Sequence, residues 1–93
     1  MNLDELREKI DAIDKDILEK LEARWLVTED IARHKAEANL PVFDEERERI
    51  LLEKISEMSA EGFDDYNLQV FKAILAASKE HQENVIEKEL KQG

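Results

Sequence analysis

Residues 3 to 38, LDELREKIDAIDKDILEKLEARWLVTEDIARHKAEA, contain neither glycine nor proline. Leu3, Leu6, Ile10, Ile13, Ile17, Leu21, Val27 and Ile31 recur mostly three and four residues apart, the spacing of one apolar face along an α-helix. Asn2 followed by Glu5 has the pattern of an N-cap with its capping-box partner. Asn39, Leu40 and Pro41 end the helix, because the residue before a proline is driven out of the α region. At the usual helical rise the segment is about 54 Å long, whereas a compact chain of this length has a radius of gyration of only about 12 Å. One chain of 93 residues cannot cover such a helix. The economical solution is an all-α fold with three helices per chain, one very long, in an intertwined homodimeric six-helix bundle. A plain extended coiled coil is the competing architecture.

The rest of the chain supplies two further helices. Asp44 caps a second helix over 45–58, with Ile50, Leu51, Ile55 and Met58 on its core face. Gly62 ends the connection, and Asp64 or Asp65 opens a third helix, 65–90, with Leu68, Phe71, Leu75, Val85 and Ile86 as its stripe. Residues 1–93 read as a single domain with a small core. The length leaves no room for a second domain, which fits a free-standing enzyme, a domain of a larger chain or a designed protein.

There is no cysteine, and His34 and His81 lack metal-ligand spacing, so neither a metal nor a cofactor is expected. No apolar run approaches the roughly 18 to 20 residues that span a bilayer, and MNLDELREKI lacks the order of a signal peptide. A soluble, cytoplasmic protein is the expectation. With 41% charged residues and a net charge of -10, the overall field repels nucleic acid and anionic membrane, and neither is expected as a partner. A small anion is not excluded, since a few cations converging in a low-dielectric cleft outweigh distant, screened surface charge.

Several polar residues interrupt the stripes. Arg24 and Lys35 are eleven residues apart and share the face of Leu21 and Ile31, with Cα atoms about 16 Å apart along the axis. They can bracket a small anion, or they can snorkel along apolar surface with their charges in water. Arg7 lies about 25 Å from Arg24 along the axis and rotated by about 100°, so the two cannot serve one small ligand from the same helix. In an antiparallel pair of long helices they could; Arg7 as an ordinary surface ion-pair partner is the other reading. Asp44, Arg47 and Glu48 project from one face, either as a site or as a cap with intrahelical ion pairs. Ser78 and Gln82 continue the line of Phe71 and Leu75, where hydrogen-bonding groups need partners, a ligand or water at a helix edge.

In order and spacing, REKI at 7–10, Ala23-Arg24, Lys35, PVFDEERE at 41–48 and SKEHQ at 78–82 resemble the all-helical AroQ class of chorismate mutases over nearly the whole chain. That family converts chorismate to prephenate, on the way to phenylalanine and tyrosine, by a pericyclic shift that uses no general base, nucleophile, metal or cofactor. The reaction needs a flexible dianion held in a chair-like shape and donors aimed at the ether oxygen as its C–O bond breaks. By resemblance, Arg24 and the partner subunit's Arg7 would hold the two carboxylates, and Arg47 and Ser78 would assist at the enolpyruvyl end. Lys35 and Gln82 would donate to the ether oxygen. Glu48, helped by the backbone at Asp44, would accept the ring hydroxyl and act as an orienting group. The resemblance therefore implies Lys35, Gln82, Arg24 and Glu48 as the catalytic set.

Gln82 occupies a position where relatives can carry a glutamate that must be protonated to donate, whereas an amide donates at any ordinary pH. Trp25 and Thr28 depart from the pattern, and Trp25 either packs on a neighbouring helix or crowds the pocket. Two other functions compete with the mutase. One is an isochorismate-pyruvate lyase, against which Glu48 together with PVFD at 41–44 favours the mutase. The other is a catalytically silent helical dimerisation or regulatory module, which has no reason to carry Arg24, Lys35 and Gln82 on core faces.

Overall fold

The computed structural model describes residues 1–92 and consists of three helices, α1 (Leu3–Ala38), α2 (Glu45–Met58) and α3 (Asp64–Gln92), with no strand among the described residues. Asn2 accepts the Glu5 N–H on Oδ1 at 2.9 Å, satisfying one of the donors that a first turn leaves without an intrahelical partner. The end of α1 is made by Asn39 rather than by Pro41. Asn39 takes a left-handed conformation with φ 59° and ψ 37°, and the N–H groups of Asn39 and Leu40 return to the carbonyls of Ala36 and Lys35. Such a double closure needs a residue that tolerates positive φ, a role asparagine fills when glycine is absent. Pro41 then follows a stop already made, and the chain turns back toward α1.

Asp44 caps α2 by accepting the Arg47 N–H at 3.0 Å. At the other end Ser59 donates its hydroxyl to the Ile55 carbonyl at 2.6 Å and accepts from Asn67 Nδ2 at 2.9 Å, tying the end of α2 to α3. Gly62, with φ 87°, makes the turn between them.

α3 packs on both α1 and α2, whereas α1 and α2 do not pack on each other. A cleft floored by α3 is the consequence. Only the second half of α1 is covered: Thr28 and Ala32 are buried, and Leu21, Arg24, Trp25 and Lys35 are partly so. All of Leu3 to Lys20 is exposed, including Leu3, Leu6, Ile10, Ile13 and Ile17 at 46–58%. The buried apolar side chains are Ala32 and Val85, with Ile50, Leu51, Ile55, Leu68, Phe71, Leu75 and Ile86 half-buried. Met58 does not belong to the core face of α2; it is the last residue of that helix and is 77% exposed. The chain measures 57 × 28 × 14 Å with a radius of gyration of 16.7 Å, well above the roughly 12 Å of a compact chain of this size. No helix among the described residues is long and apolar enough to cross a membrane.

Candidate active site

The cleft between α1, the 39–44 turn, α2 and α3 has a volume of about 400 Å³. Arg24, Lys35, Asp44, Arg47, Glu48, Ser78 and Gln82 all line it, although they come from three helices and a turn. Arg7 does not line it and is exposed on the uncovered half of α1. Val27 and Ile31 form apolar wall between Arg24 and Lys35, so the two charges stand at the ends of one recess.

Lys35 does not snorkel. Its Nζ donates to the Val42 carbonyl at 2.7 Å and to Gln82 Oε1 at 2.9 Å, which bends the side chain into the cleft. The Val42 carbonyl is within reach because the left-handed Asn39 folds the following residues back along α1. An ammonium can only donate, so the amide atom facing Lys35 must be the oxygen, and the orientation of Gln82 is thereby assigned. Gln82 Nε2 in turn donates to Ser78 Oγ at 3.3 Å. Both Ser78 and Gln82 are buried and partnered, which rules out the reading of a wet helix edge. Lys35 has three N–H donors and Gln82 two. Subtracting the bonds just named leaves each with one uncommitted donor, on atoms that lie side by side. Two such donors can converge on a single acceptor oxygen.

EERERI divides into two faces. Arg49 pairs with Glu46 and Glu53 on the solvent side, and those hydrogen bonds raise its guanidinium pKa above the ordinary value. Arg47 and Glu48 turn toward the cleft, with the Glu48 side chain only 22% exposed. Glu48 is held by Lys79, whose Nζ lies 3.2 Å from Oε1 and 3.0 Å from Oε2. Among the described residues no protein acceptor holds the side chains of Arg24 or Arg47, so both guanidiniums are available for bidentate contact with a carboxylate. Four cations against two carboxylates leave this lining with an excess of two positive charges, inside a chain whose net charge is -10. The arrangement suits a small dianion.

Lys79 is the charged lining residue that the sequence left unremarked. Leu75, Ser78, Lys79 and Gln82 share one face of α3, so helical spacing alone could have found it. Thr28, another lining residue, is buried and donates its hydroxyl to the Arg24 carbonyl at 2.9 Å, which satisfies it within α1. Trp25 does not crowd the cleft. It packs edge-on against His81 of α3, with ring centroids 6.4 Å apart, and neither residue belongs to the lining. No three His, Asp or Glu side chains among the described residues are grouped as a metal site.

Comparison with known proteins agrees with this geometry. The chain is 31% identical over 87 residues to a chorismate mutase of Methanocaldococcus jannaschii, covering 91% of this chain and 88% of that protein. It is 43% identical over 61 residues to a bifunctional chorismate mutase/prephenate dehydratase of Aquifex aeolicus, covering 66% of this chain and 17% of the relative. A protein of the same description from Enterobacter agglomerans is 34% identical over 87 residues, 91% of this chain and 22% of its own length. The profile of the family described as chorismate mutase type II matches residues 6–83, a span that contains every lining residue of the cleft. The chain belongs to the chorismate mutase type II family.

Proposed function

We infer that this chain is a chorismate mutase, an isomerase that converts chorismate to prephenate on the route to phenylalanine and tyrosine. The observation that carries the reading is the Lys35–Gln82 pair, two adjacent donors each with an N–H to spare, set in a cleft with excess positive charge. The rearrangement breaks an ether C–O bond while a C–C bond forms, and negative charge grows on the ether oxygen in the transition state. Donors fixed at that oxygen stabilise the transition state more than the ground state, which is the condition for raising kcat. Lys35 and Gln82 are the donors in this reading, and their bonds to Val42, Ser78 and each other mean that little reorganisation accompanies the reaction.

The remaining roles follow from charge and shape. Arg24 grips one carboxylate of the dianion, and Arg47 with Ser78 assists at the enolpyruvyl end. Glu48 and the backbone at Asp44 accept the ring hydroxyl. Val27, Ile31 and Leu51 supply apolar wall against the ring and favour the folded, chair-like conformer over the extended one.

The working form in this reading is a homodimer, a six-helix bundle in which the partner subunit's Arg7 completes the site. Three observations support it: the uncovered Leu3–Ile17 stripe, the lack of a large buried core in one chain, and the position of Arg7 on that stripe's half of α1. A contiguous exposed apolar face of this length marks an interaction surface. A cytoplasmic setting belongs to the same reading and rests on the sequence alone. Purified protein supplied with chorismate, or with isochorismate, tests the function. Prephenate from chorismate is the expected product; pyruvate from isochorismate would make it a lyase, and neither product would leave a silent helical module.

A further inference from the structure

We propose that Lys79 is a positioning residue for Glu48, clamping its carboxylate so that it faces the substrate's ring hydroxyl without repelling the substrate's charge. The inference rests on the function proposed above. Glu48 presents a difficulty there: a carboxylate in the cleft favours a hydroxyl donor but opposes a dianion. Lys79 answers both parts. Its Nζ sits against both Glu48 oxygens, at 3.2 and 3.0 Å, which fixes the plane of the carboxylate and neutralises it locally. An ionised carboxylate has about four acceptor positions, so a single ammonium leaves room for a hydroxyl.

The clamp is itself anchored. Lys79 Nζ lies 4.7 Å from the centroid of the Phe43 ring, a cation–π contact from the turn that precedes α2. Lys79 thus joins three parts of the wall, α3 through its backbone, α2 through Glu48 and the turn through Phe43. With its ammonium engaged by Glu48 and the aromatic face, Lys79 acts through Glu48 rather than as a carboxylate anchor. No intrahelical partner performs this task, because the positions three and four residues from Glu48, namely Asp44, Glu45, Leu51 and Leu52, carry no cation, and Arg49 pairs with Glu46 and Glu53 on the solvent side.

Steady-state kinetics with chorismate and calorimetric binding of prephenate, on the intact protein and on Lys79→Met, Lys79→Arg, Glu48→Gln and Glu48→Gln/Lys79→Met, test the proposal. Prephenate binding is included so that the Glu48→Gln background need not turn over. Lys79→Met should raise KM and the prephenate Kd about tenfold while kcat changes less than about threefold, the pattern of a lost interaction common to ground and transition states. Lys79→Arg should restore most of the loss. In the Glu48→Gln background Lys79→Met should change the prephenate Kd by less than about twofold, because the group through which it acts is no longer charged. An unchanged KM and Kd in Lys79→Met, an equal loss in both backgrounds, or a loss confined to kcat would overturn it. Should Lys79→Met lose helicity, Lys79→Gln takes its place under the same criteria. A wild-type protein inert toward chorismate would remove both this proposal and the function it rests on, whereas an active wild type with an indifferent Lys79→Met removes this proposal alone.

Discussion

The two halves of α1 follow one periodic pattern and have opposite fates. From Leu3 to Lys20 the stripe is built of large residues, Leu3, Leu6, Ile10, Ile13 and Ile17, and every one is exposed. From Leu21 to Ala38 the residues buried against α3 are small, Thr28 and Ala32, while Arg24 and Lys35 stand at the edge. Small residues let α3 approach closely, and the longer side chains beside them then frame a recess instead of filling a core. The first half carries an apolar stripe without a site, and the second carries the site, with Val27 and Ile31 exposed as its apolar wall. In the homodimer proposed above, the contrast gives the second chain its place: the half that builds the cleft buries only small residues on α3, and the apolar stripe of the other half is turned outward.

That contrast can be broken from either side. Lys35→Ala strikes the second half. It removes one donor to the ether oxygen and leaves the Val42 carbonyl and Gln82 Oε1 without their partner, so kcat/KM should fall by about 10³-fold or more. Circular dichroism should show the helices intact, with stability lower by about 1–3 kcal/mol for the acceptors left unpaired. Loss of helicity instead would mean that Lys35 is a structural lysine.

Ile13→Asp strikes the first half, far from the cleft. Placing a charge on the uncovered stripe should convert a dimer to a monomer in sedimentation equilibrium and lower kcat/KM by about 10²-fold, through loss of the partner subunit's Arg7 and not through any change in the cleft's own residues. An unchanged mass with full activity would show that the stripe has no partner.

Gln82→Glu gives a smaller, pH-dependent effect that sharpens the role of the second half. A glutamate must be protonated to donate, and here Lys35 Nζ sits 2.9 Å from the oxygen it would replace. Activity of the variant should therefore fall steeply from mildly acidic to neutral pH, by about tenfold to a hundredfold, while the parent stays nearly flat over that range. Superimposable pH–rate profiles would contradict the assignment of Gln82 as a donor.

Much of the site was legible because helical register is rigid. The spacings 24 to 35, 44 to 48 and 78 to 82 each place residues on one face, and the resemblance of their order to a known family did the rest. What could not be read depended on contacts between elements. The Lys35–Val42 bond requires the left-handed turn at Asn39, which the neighbouring Pro41 obscured as the evident stop signal. Trp25 finds His81, and Lys79 finds Glu48 and Phe43, across sequence separations that periodicity does not address. Met58 keeps the period of α2 yet is exposed at the last residue of the helix, since a stripe reports which face turns inward and not how much of its end is covered.

The central claim is that the cleft on one chain is completed by Arg7 from another, and mixing two inactive variants tests it most directly. Arg7→Ala and Arg24→Ala should each have little activity alone. After joint unfolding and refolding, about half of the dimers are mixed, and each mixed dimer holds one cleft with both arginines and one with neither, so about a quarter of the wild-type activity should return. No recovery from a mixture shown to contain mixed dimers would contradict the account and confine the site to a single chain.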